Sequence, residues 1–235
     1  MKDIVLNAQN ISKTVASPEG SLTILADVSL SVRAGETLAI VGASGAGKST
    51  LLALLAGLDS PTTGRVSIAG VDLGDLDEDG RAAVRGRHVG FVFQSFHLIP
   101  SLTAIENVML PLELANRRDA RAGAALALEQ VGLTPRGGHY PKQLSGGEQQ
   151  RVAIARAFVT HPAVLFADEP TGNLDTTTGQ RICDLLFELN RSTGSTLVLV
   201  THDRALAARC GRIFELDAGH AVAPGAAPVA QRVTG

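Results

Sequence analysis

Residues 42–50 read GASGAGKST, and this stretch is the most informative about the fold. It matches the pattern G-x-x-x-x-G-K-[ST] of a phosphate-binding loop. An apolar run, TLAIV at 37–41, precedes it, and a leucine-rich run, STLLALLAGL at 49–58, follows. A strand, a glycine loop and a helix in this order predict an α/β fold with a nucleoside triphosphate site.

The residue types in the loop suit phosphate chemistry. Glycines let backbone N–H groups turn toward phosphate oxygens, and the following helix N-terminus adds partial positive charge. Lys48 would reach the β- and γ-phosphates, and the Ser49 hydroxyl would ligate Mg²⁺. The alternative is a glycine turn capped by Ser49, which the full pattern and its context disfavour. The predicted contacts to the nucleotide are Gly42, Ala43, Ser44, Gly45, Ala46, Gly47, Lys48, Ser49 and Thr50.

A second acidic motif, AVLFADEP, ends an apolar run at Asp168 and Glu169. Parallel sheets bind ligands at the carboxyl ends of their strands, so Asp168 would face the metal there. Glu169 would orient or deprotonate the attacking water. A solvated acidic pair is the alternative, and it would be preferred if the phosphate loop were absent.

Short β-rich runs alternate with helical patterns along much of the chain, which favours a largely parallel sheet. Residues 95–162 differ, because they show helical periodicity without strand runs. The tail after residue 220 is rich in Ala, Pro and Gly. The strands are predicted at Ile4–Ala8, Val28–Val32, Thr37–Val41, Arg65–Ile68, His88–Phe93, Val164–Asp168, Thr196–Thr201 and Arg212–Leu216, and the main helices at Lys48–Leu58, Glu148–Phe158 and Gly179–Arg191.

Composition excludes several other functions. The 235 residues are 45% hydrophobic with a net charge of −2, which argues against nucleic acid as the main partner. No apolar run approaches the ~18 residues of a membrane span. Cys183 and Cys210 lack metal or redox spacing.

Residues 143–151, QLSGGEQQR, raise a question about two glycines at a helix start. Ser145 and Glu148 fit the capping box S-x-x-E. The box does not explain Gly146 and Gly147, where better helix formers would fit. Close approach of an anionic ligand would explain them. Because the phosphate loop already serves one nucleotide, this ligand is predicted to be the γ-phosphate of another subunit's nucleotide.

The phosphate loop, LSGGEQQR, LFADEP and VTHD, in this order, resemble the nucleotide-binding domain of an ABC transporter over residues 4–219. The resemblance implies a P-loop NTPase (RecA-like) parallel-sheet core with an antiparallel β subdomain and an inserted α-helical subdomain. The core with its β subdomain would span 1–94 and 163–220, the helical subdomain with the signature 95–162, and a flexible tail 221–235. It also implies a head-to-tail homodimer that hydrolyses ATP with Mg²⁺, in which each site pairs one chain's phosphate loop with the other's Ser145, Gly146, Gly147 and Glu148.

The resemblance also assigns roles to three further residues. Gln94, after HVGFVFQ, resembles the glutamine that touches Mg²⁺ and water and links to the membrane partner. Asp175 of GNLD would contact the other subunit. His202 of VTHD resembles the switch histidine at the γ-phosphate; on its own it would be interpreted as an ordinary histidine at a strand end.

The runs HVGFVFQSFHLIPSLTAIENVMLP and LFADEPTGNLD resemble the lipoprotein-releasing and macrolide-export ATPases, and most closely the YbbA-type branch. Their permeases (FtsX-like or MacB-like) have few membrane helices and a large extracytoplasmic domain. This resemblance implies a cytoplasmic subunit on the inner face of the cell membrane. It would reach the membrane only through the permease and would not bind nucleic acid directly.

One position departs from the family pattern. Such ATPases usually stack adenine on an aromatic residue just after the first strand, and the matching position in NISKTVAS is Val15. Residues 1–90 contain no Phe, Tyr or Trp. Aromatic stacking is worth roughly 1–3 kcal/mol per base in nucleic-acid binding. The prediction is weaker and less selective base binding, with phosphate and metal contacts retained.

Two other classes of nucleotide-binding protein are alternatives. A soluble ABC-type ATPase acting on DNA or ribosomes would be expected to carry long coiled coils or two cassettes, and the chain shows neither pattern. A GTPase would need a guanine-reading N-K-x-D stretch, which is absent. An ATP-driven motor for a permease is therefore the preferred hypothesis.

Overall fold

The computed structural model describes residues 3–17 and 20–222 as strands, helices and connecting loops. The strands are β1 (Ile4–Ser17), β2 (Gly20–Arg33), β3 (Thr37–Val41), β4 (Thr63–Ile68), β5 (Val71–Asp72), β6 (Val89–Phe93), β7 (Val164–Asp168), β8 (Thr196–Val200), β9 (Arg212–Asp217) and β10 (His220–Ala221). The helices are α1 (Lys48–Leu55), α2 (Glu78–His88), α3 (Ala104–Leu114), α4 (Ala120–Gln130), α5 (Gly146–Phe158), α6 (Thr176–Thr193) and α7 (Arg204–Ala207), with 3-10 turns at Thr134–Arg136 and Pro141–Gln143.

The strands form two sheets. The smaller is antiparallel, in the order β2-β1-β4-β5. The larger has the order β10-β9-β3-β8-β7-β6, and all its neighbours are parallel except β9 and β10. The carboxyl ends of β3 and β7 therefore lie at the same edge of the sheet, separated only by β8. The parallel-sheet core and the antiparallel sheet predicted from the sequence are both present.

The larger sheet separates two hydrophobic cores, because successive side chains of a strand point to opposite faces. Phe166 and Val198 enter one core with α1 and the antiparallel sheet. Leu165 and Leu197 enter the other, with α3, α4, α5 and α6. Each fully buried side chain of this kind stabilises the fold by about 1.5–3 kcal/mol. Both faces of the larger sheet are therefore packed against other elements, and the loops at its carboxyl edge extend from well-packed strands.

Several boundaries differ from the sequence prediction. The strands β1 and β2 are 14 residues each, far longer than predicted, because they pair with each other well beyond the short runs that the sequence indicated. The helix α2 was not predicted, and it includes His88, which was assigned to a strand. Ala221, assigned to the tail, lies in β10 and pairs with Leu216 of β9. The remainder of the predicted tail from residue 223 lies outside the described residues.

Candidate active site

The loop between β3 and α1 leaves the start of α1 without a side-chain cap. Gly45 and Gly47 have φ angles of 80° and 97°, which side chains rarely adopt. A Cβ at Gly47 would also lie 2.9 Å from Leu25 Cδ2. The first N–H groups of a helix have no acceptor within the helix. The loop therefore offers uncapped backbone donors at a positive helix end.

Lys48 and Ser49 begin α1 beside this loop. Lys48 Nζ donates to the carbonyl oxygens of Gly42 and Ala43, each at 2.9 Å. The Ser49 side chain lines the same cavity as Asp168, the last residue of β7. A cation and a hydroxyl thus stand next to a carboxylate at the carboxyl edge of the sheet.

Burial raises the pKa of the Asp168 carboxyl, and the adjacent Glu169 carboxylate raises it further. Lys48 and the Ser49 hydroxyl lower the pKa of the same carboxyl. Two neighbouring acids, one of them half-buried, form an electrostatic arrangement that a bound cation would relieve. The hydroxyl and carboxylate oxygens are also the hard ligands that Mg²⁺ prefers. These residues therefore fit a magnesium ion.

Glu169 adopts a left-handed backbone conformation, with φ 44°. Its N–H donates to the Val200 carbonyl at 2.9 Å. Its Oε1 accepts from the His202 backbone N–H at 3.0 Å and lies 2.8 Å from His202 Nδ1. The structure therefore brings these two predicted catalytic residues into direct contact after β7 and β8.

A cavity of about 340 Å³ unites these elements. It is lined by residues that the sequence singles out and by two apolar side chains that it does not. The lining residues are Ile24, Ser44, Gly45, Gly47, Lys48, Ser49, Thr50, Asp168, Glu169 and Val200.

Gln94 does not line this cavity. Its Nε2 donates to Asn173 Oδ1 at 3.2 Å, and Asn173 Nδ2 donates back to the Gln94 carbonyl at 3.1 Å. The side chain lies against Gly172, where a Cβ would come within 2.6 Å of Nε2. In this conformation Gln94 is bound to the segment after β7, away from the lining of the phosphate loop.

The predicted capping box at the start of α5 is present. Ser145 Oγ accepts from the Glu148 N–H at 3.3 Å, and Glu148 Oε2 accepts from the Ser145 N–H at 2.8 Å. Arg136 Nε lies 3.1 Å from Glu148 Oε1. The Ser145 backbone and side-chain hydrogen bonds, followed by Arg136, lower the pKa of Glu148.

A separate cavity of about 350 Å³ adjoins the start of α5 and shares no lining residue with the phosphate-loop cavity. Ser145, Gly146, Gly147 and Glu148 line it together with Asp175. The Asp175 carboxylate caps α6, accepting from the Thr178 N–H at 3.0 Å. The phosphate loop and the start of α5 therefore line different cavities of one chain, and Gln94 and His202 line neither.

The glycines of α5 are not equivalent, and neither has a positive φ. A Cβ at Gly146 would make ordinary contact with Leu174 Cδ2 at 3.4 Å. A Cβ at Gly147 would lie 2.7 Å from Thr178 Cγ2. The interpretation that a helix former would fit at both positions is therefore wrong at Gly147, because α6 packs against it.

Val15 is half-buried and pairs with Leu22 across β1 and β2. Leu22 is 56% exposed, and Ile24, two residues later, lines the phosphate-loop cavity. The surface that continues from the phosphate loop onto this hairpin is therefore aliphatic.

Sequence reasoning missed Asn173, Gln150 and Arg156. Gln150 is fully buried, and its Nε2 donates to the Pro170 carbonyl at 2.6 Å. Arg156 donates to the carbonyls of Phe96 and His97. A signal existed for Arg156, since it interrupts the apolar run VAIARAF.

The model of the ABC transporter family matches residues 25–172. The ABC transporter ATP-binding protein YbbA of Escherichia coli (strain K12) is 57% identical over 217 residues, which cover 92% of this chain and 95% of that protein. The lipoprotein-releasing system ATP-binding protein LolD of Legionella pneumophila (strain Paris) is 48% identical over 93% of this chain and 97% of its own.

Among solved structures, the dimeric post-hydrolysis state of the ATP-binding cassette MJ0796, bound to ADP and Pi, superposes with a TM-score of 0.85. It is 42% identical, and the match covers 93% of this chain and 97% of that one.

Among the described helices, none is both long and apolar enough to cross a membrane. The family match spans more than half of the sequence, and the relatives cover nearly all of it. The chain therefore belongs to the ABC transporter family, as one of its ATP-binding, ATP-hydrolysing subunits.

Proposed function

We propose that two copies of this chain close head-to-tail around two ATP molecules and that hydrolysis drives an integral-membrane permease. The observation that carries the proposal is the division of the site residues between two cavities of one chain. The phosphate loop lacks donors from α5, and the start of α5 lacks a phosphate loop. The dimeric form of MJ0796 with ADP and Pi supports an arrangement in which a second copy supplies each missing half.

Residues 42–50 hold the phosphates in this proposal. Lys48 exchanges its two carbonyl acceptors, Gly42 and Ala43, for phosphate oxygens, which are stronger acceptors for a charged donor. Ser49, Asp168 and Gln94 would hold the magnesium ion, and Gln94 would have to leave Asn173 to do so. When bound, magnesium neutralises charge on the phosphates.

Glu169 orients the attacking water or accepts its proton. Its carboxylate is fixed by the His202 backbone N–H, which leaves the second oxygen able to meet a water molecule. The His202 ring is 76% exposed, so it is free to contact a γ-phosphate at this edge. Both roles use atoms that stand at the carboxyl ends of adjacent strands.

The base lies beyond the phosphate loop, against Val15, Leu22 and Ile24. Aliphatic side chains offer apolar contact to either purine but no ring for stacking. Base affinity and base selectivity are therefore lower than with an aromatic residue at Val15.

The other subunit contributes the start of α5. Ser145 and Glu148 cap each other, so the N–H groups of Gly146 and Gly147 remain as donors without an intrahelical acceptor. They bind the γ-phosphate of the partner's ATP, and Asp175 beside them contacts the partner chain.

A mixing experiment tests the composite site. Lys48→Ala disables the phosphate loop, and Gly146→Asp places a carboxylate at the start of α5. Each variant alone is inactive because every site in its homodimer is defective. In a mixed dimer, one of the two sites combines the two intact halves, so each mixed dimer has up to about half the wild-type turnover. A random 1:1 mixture, in which about half of the dimers are mixed, recovers up to about a quarter. If each chain formed a complete site by itself, mixing would restore nothing.

The permease is the finer part of the proposal. The similarity to LolD, an ATP-binding protein of a lipoprotein-releasing system, supports a permease with a large extracytoplasmic domain, FtsX-like or MacB-like. The chain would then act on the cytoplasmic face of the cell membrane. A cleft of about 730 Å³, lined by Phe91, Phe93, Leu114 and other residues of β6, α3 and α5, offers an apolar docking surface.

Docking can be tested with two exposed leucines. Leu114→Asp in the cleft is expected to abolish co-purification with a permease from detergent-solubilised membranes. Leu126→Asp on α4 is the matched control, because Leu126 is 61% exposed and lies outside the cleft. Equal co-purification of both variants would place the docking surface elsewhere.

A further inference from the structure

The segment after Gln94 adopts an unfavourable backbone conformation. Phe96 and His97 have φ angles of 57° and 48°, and neither is a glycine. Left-handed conformations cost such residues roughly 1–3 kcal/mol each. Two consecutive residues of this kind persist only when neighbouring groups hold them in place.

Arg156 of α5 supplies that hold. One terminal nitrogen of its guanidinium donates to the His97 carbonyl at 2.7 Å, and the other donates to the Phe96 carbonyl at 2.9 Å. The planar fork thus spans two successive carbonyls, which a lysine ammonium cannot match in geometry. Within the described residues, Arg156 has no carboxylate partner at ion-pair distance.

This arginine gives up solvation to make these contacts. Burial lowers the pKa of the Arg156 guanidinium. A desolvated cation is costly unless it is hydrogen-bonded, so these two carbonyls are the main compensation for the burial. The interaction therefore fixes both partners.

A second side chain of α5 holds the other end of the segment. Gln150 is fully buried, and its Nε2 lies 3.4 Å from the Phe93 carbonyl in addition to its 2.6 Å bond to the Pro170 carbonyl. One helix therefore contacts the residue before Gln94 and the two residues that follow Ser95.

We propose that Arg156 is a positioning residue that sets the location of Gln94 by holding the carbonyls of Phe96 and His97. The inference rests on the proposed function, in which Gln94 works beside ATP. Because α5 also begins at Ser145–Glu148, a shift of this helix moves both the donors offered to the partner subunit and the segment that carries Gln94. Formation of the dimer and placement of Gln94 are thus mechanically linked.

Two variants test the role of Arg156. Arg156→Met removes the hydrogen bonds, and Arg156→Lys keeps the charge without the fork. Both are expected to lower the maximal ATP turnover about tenfold or more, since misplacement of a reacting group by an ångström can cost that much. ATP affinity is expected to stay within about twofold, because the phosphate loop is unchanged.

Arg85→Met is the matched control. Arg85 is 21% exposed and donates to the Gly57 carbonyl at 2.6 Å; its other partner is Glu78, so it does not hold the segment after Gln94. Its turnover is expected to equal that of the wild type. If Arg85→Met and Arg156→Lys lose turnover and melting temperature alike, Arg156 is only structural.

Rescue and non-additivity provide readouts that a structural role would not move. Glycine accepts a positive φ without strain, so His97→Gly is expected to restore turnover to Arg156→Lys at least threefold. Gln94→Ala should lower turnover in the wild type but add little in Arg156→Lys, because both changes affect the same group.

Three further results would overturn the inference. The first is turnover within twofold of the wild type in both Arg156 variants. The second is a double variant, Gln94→Ala with Arg156→Lys, whose loss of turnover equals the product of the two single losses. The third is a loss of turnover in Arg156→Lys when Gln94→Ala alone has no effect. In the last case the ATPase function would stand and only the positioning role would fail. If Arg156→Met does not fold, Arg156→Lys decides alone.

Discussion

Two helices of this protein, α1 and α5, have glycines at their starts, but the two starts are capped differently. The start of α1 follows Gly47, whose φ is 97°, and has no side-chain cap. The start of α5 follows Ser145, and Ser145 and Glu148 cap each other. The glycines before α1 have backbone angles that side chains rarely adopt, whereas those of α5 have ordinary helical ones.

The difference shows what each helix start can bind. The uncapped start of α1, with Lys48 and Ser49, forms a phosphate site from one chain. At α5 the cap consumes two N–H groups and leaves those of Gly146 and Gly147. Glu148 would also repel a phosphate, although Arg136 partly offsets its charge. In the proposed function, the start of α5 is therefore half a site that needs a phosphate already held by another loop.

The largest expected effect is on ATP turnover and comes from a change in the phosphate-loop cavity. Glu169→Gln should lower ATP turnover by about 10² or more, the range for loss of a general base, while ATP binding persists. The amide cannot take a proton from water, but the phosphate loop is unchanged. Phosphate release measures turnover, and size exclusion with ATP should show a trapped dimer. Turnover close to that of the wild type would remove Glu169 from the mechanism.

On the α5 side, Gly146→Ala should leave the melting temperature of the nucleotide-free protein unchanged or slightly raised, because a Cβ fits there and alanine favours helix. It should weaken ATP-driven dimerisation at least about tenfold in the Glu169→Gln background, since the methyl group would crowd the partner's phosphate. Dimerisation as in the parent would reduce the start of α5 to a helix cap.

Gly147→Ala provides the contrast. Its methyl group would collide with Thr178 Cγ2, so it should lower the melting temperature unless Thr178 rotates. Thr178→Ser removes that methyl and should restore the melting temperature in the double variant. It should not restore dimerisation. Recovery of both properties would show that the glycine serves packing alone.

A change at Val15 separates the ATP affinity that comes from the base from the affinity that comes from the phosphate loop. Val15→Tyr should raise ATP affinity about tenfold, from a stacking contribution of roughly 1–3 kcal/mol. Binding of inorganic tripolyphosphate, which has no base, should not change. Titration of both ligands makes the comparison. Equal affinity of ATP for the two proteins would mean that the base lies away from Val15.

The smallest effect concerns the cap itself. Glu148→Gln should lower the melting temperature by about 1–2 °C at pH 7, because an amide accepts the Ser145 N–H less strongly than a carboxylate. The pKa of Glu148 in the folded protein is lowered, so the stabilisation is present above pH 4.5. It should disappear as the pH falls through the lower folded pKa. A pH-independent difference would mean that the charge plays no part.

Local patterns were sufficient for much of the fold. The bounds of β3 and β7 were predicted as they are observed, because both are short apolar runs buried on two faces. The extents of β1 and β2 were not, since their outer halves are mostly exposed or half-buried and depend on pairing with each other. The packing reason for a glycine at position 147 could not be predicted, because it depends on the contact with α6.

The chemistry could be predicted from the residues alone: a phosphate loop before a helix, two acids at a strand end and a serine–glutamate cap. Each of these is a local pattern of a few residues, set by backbone geometry and nearest neighbours. Which of them meet depends on the packing of the whole chain. This packing brought Glu169 to His202, separated the start of α5 from the phosphate loop, bound Gln94 to Asn173 and placed Arg156 on the segment after Gln94. Such contacts join residues 30 to 80 positions apart, and they depend on how sheets and helices pack, which no short stretch of sequence specifies.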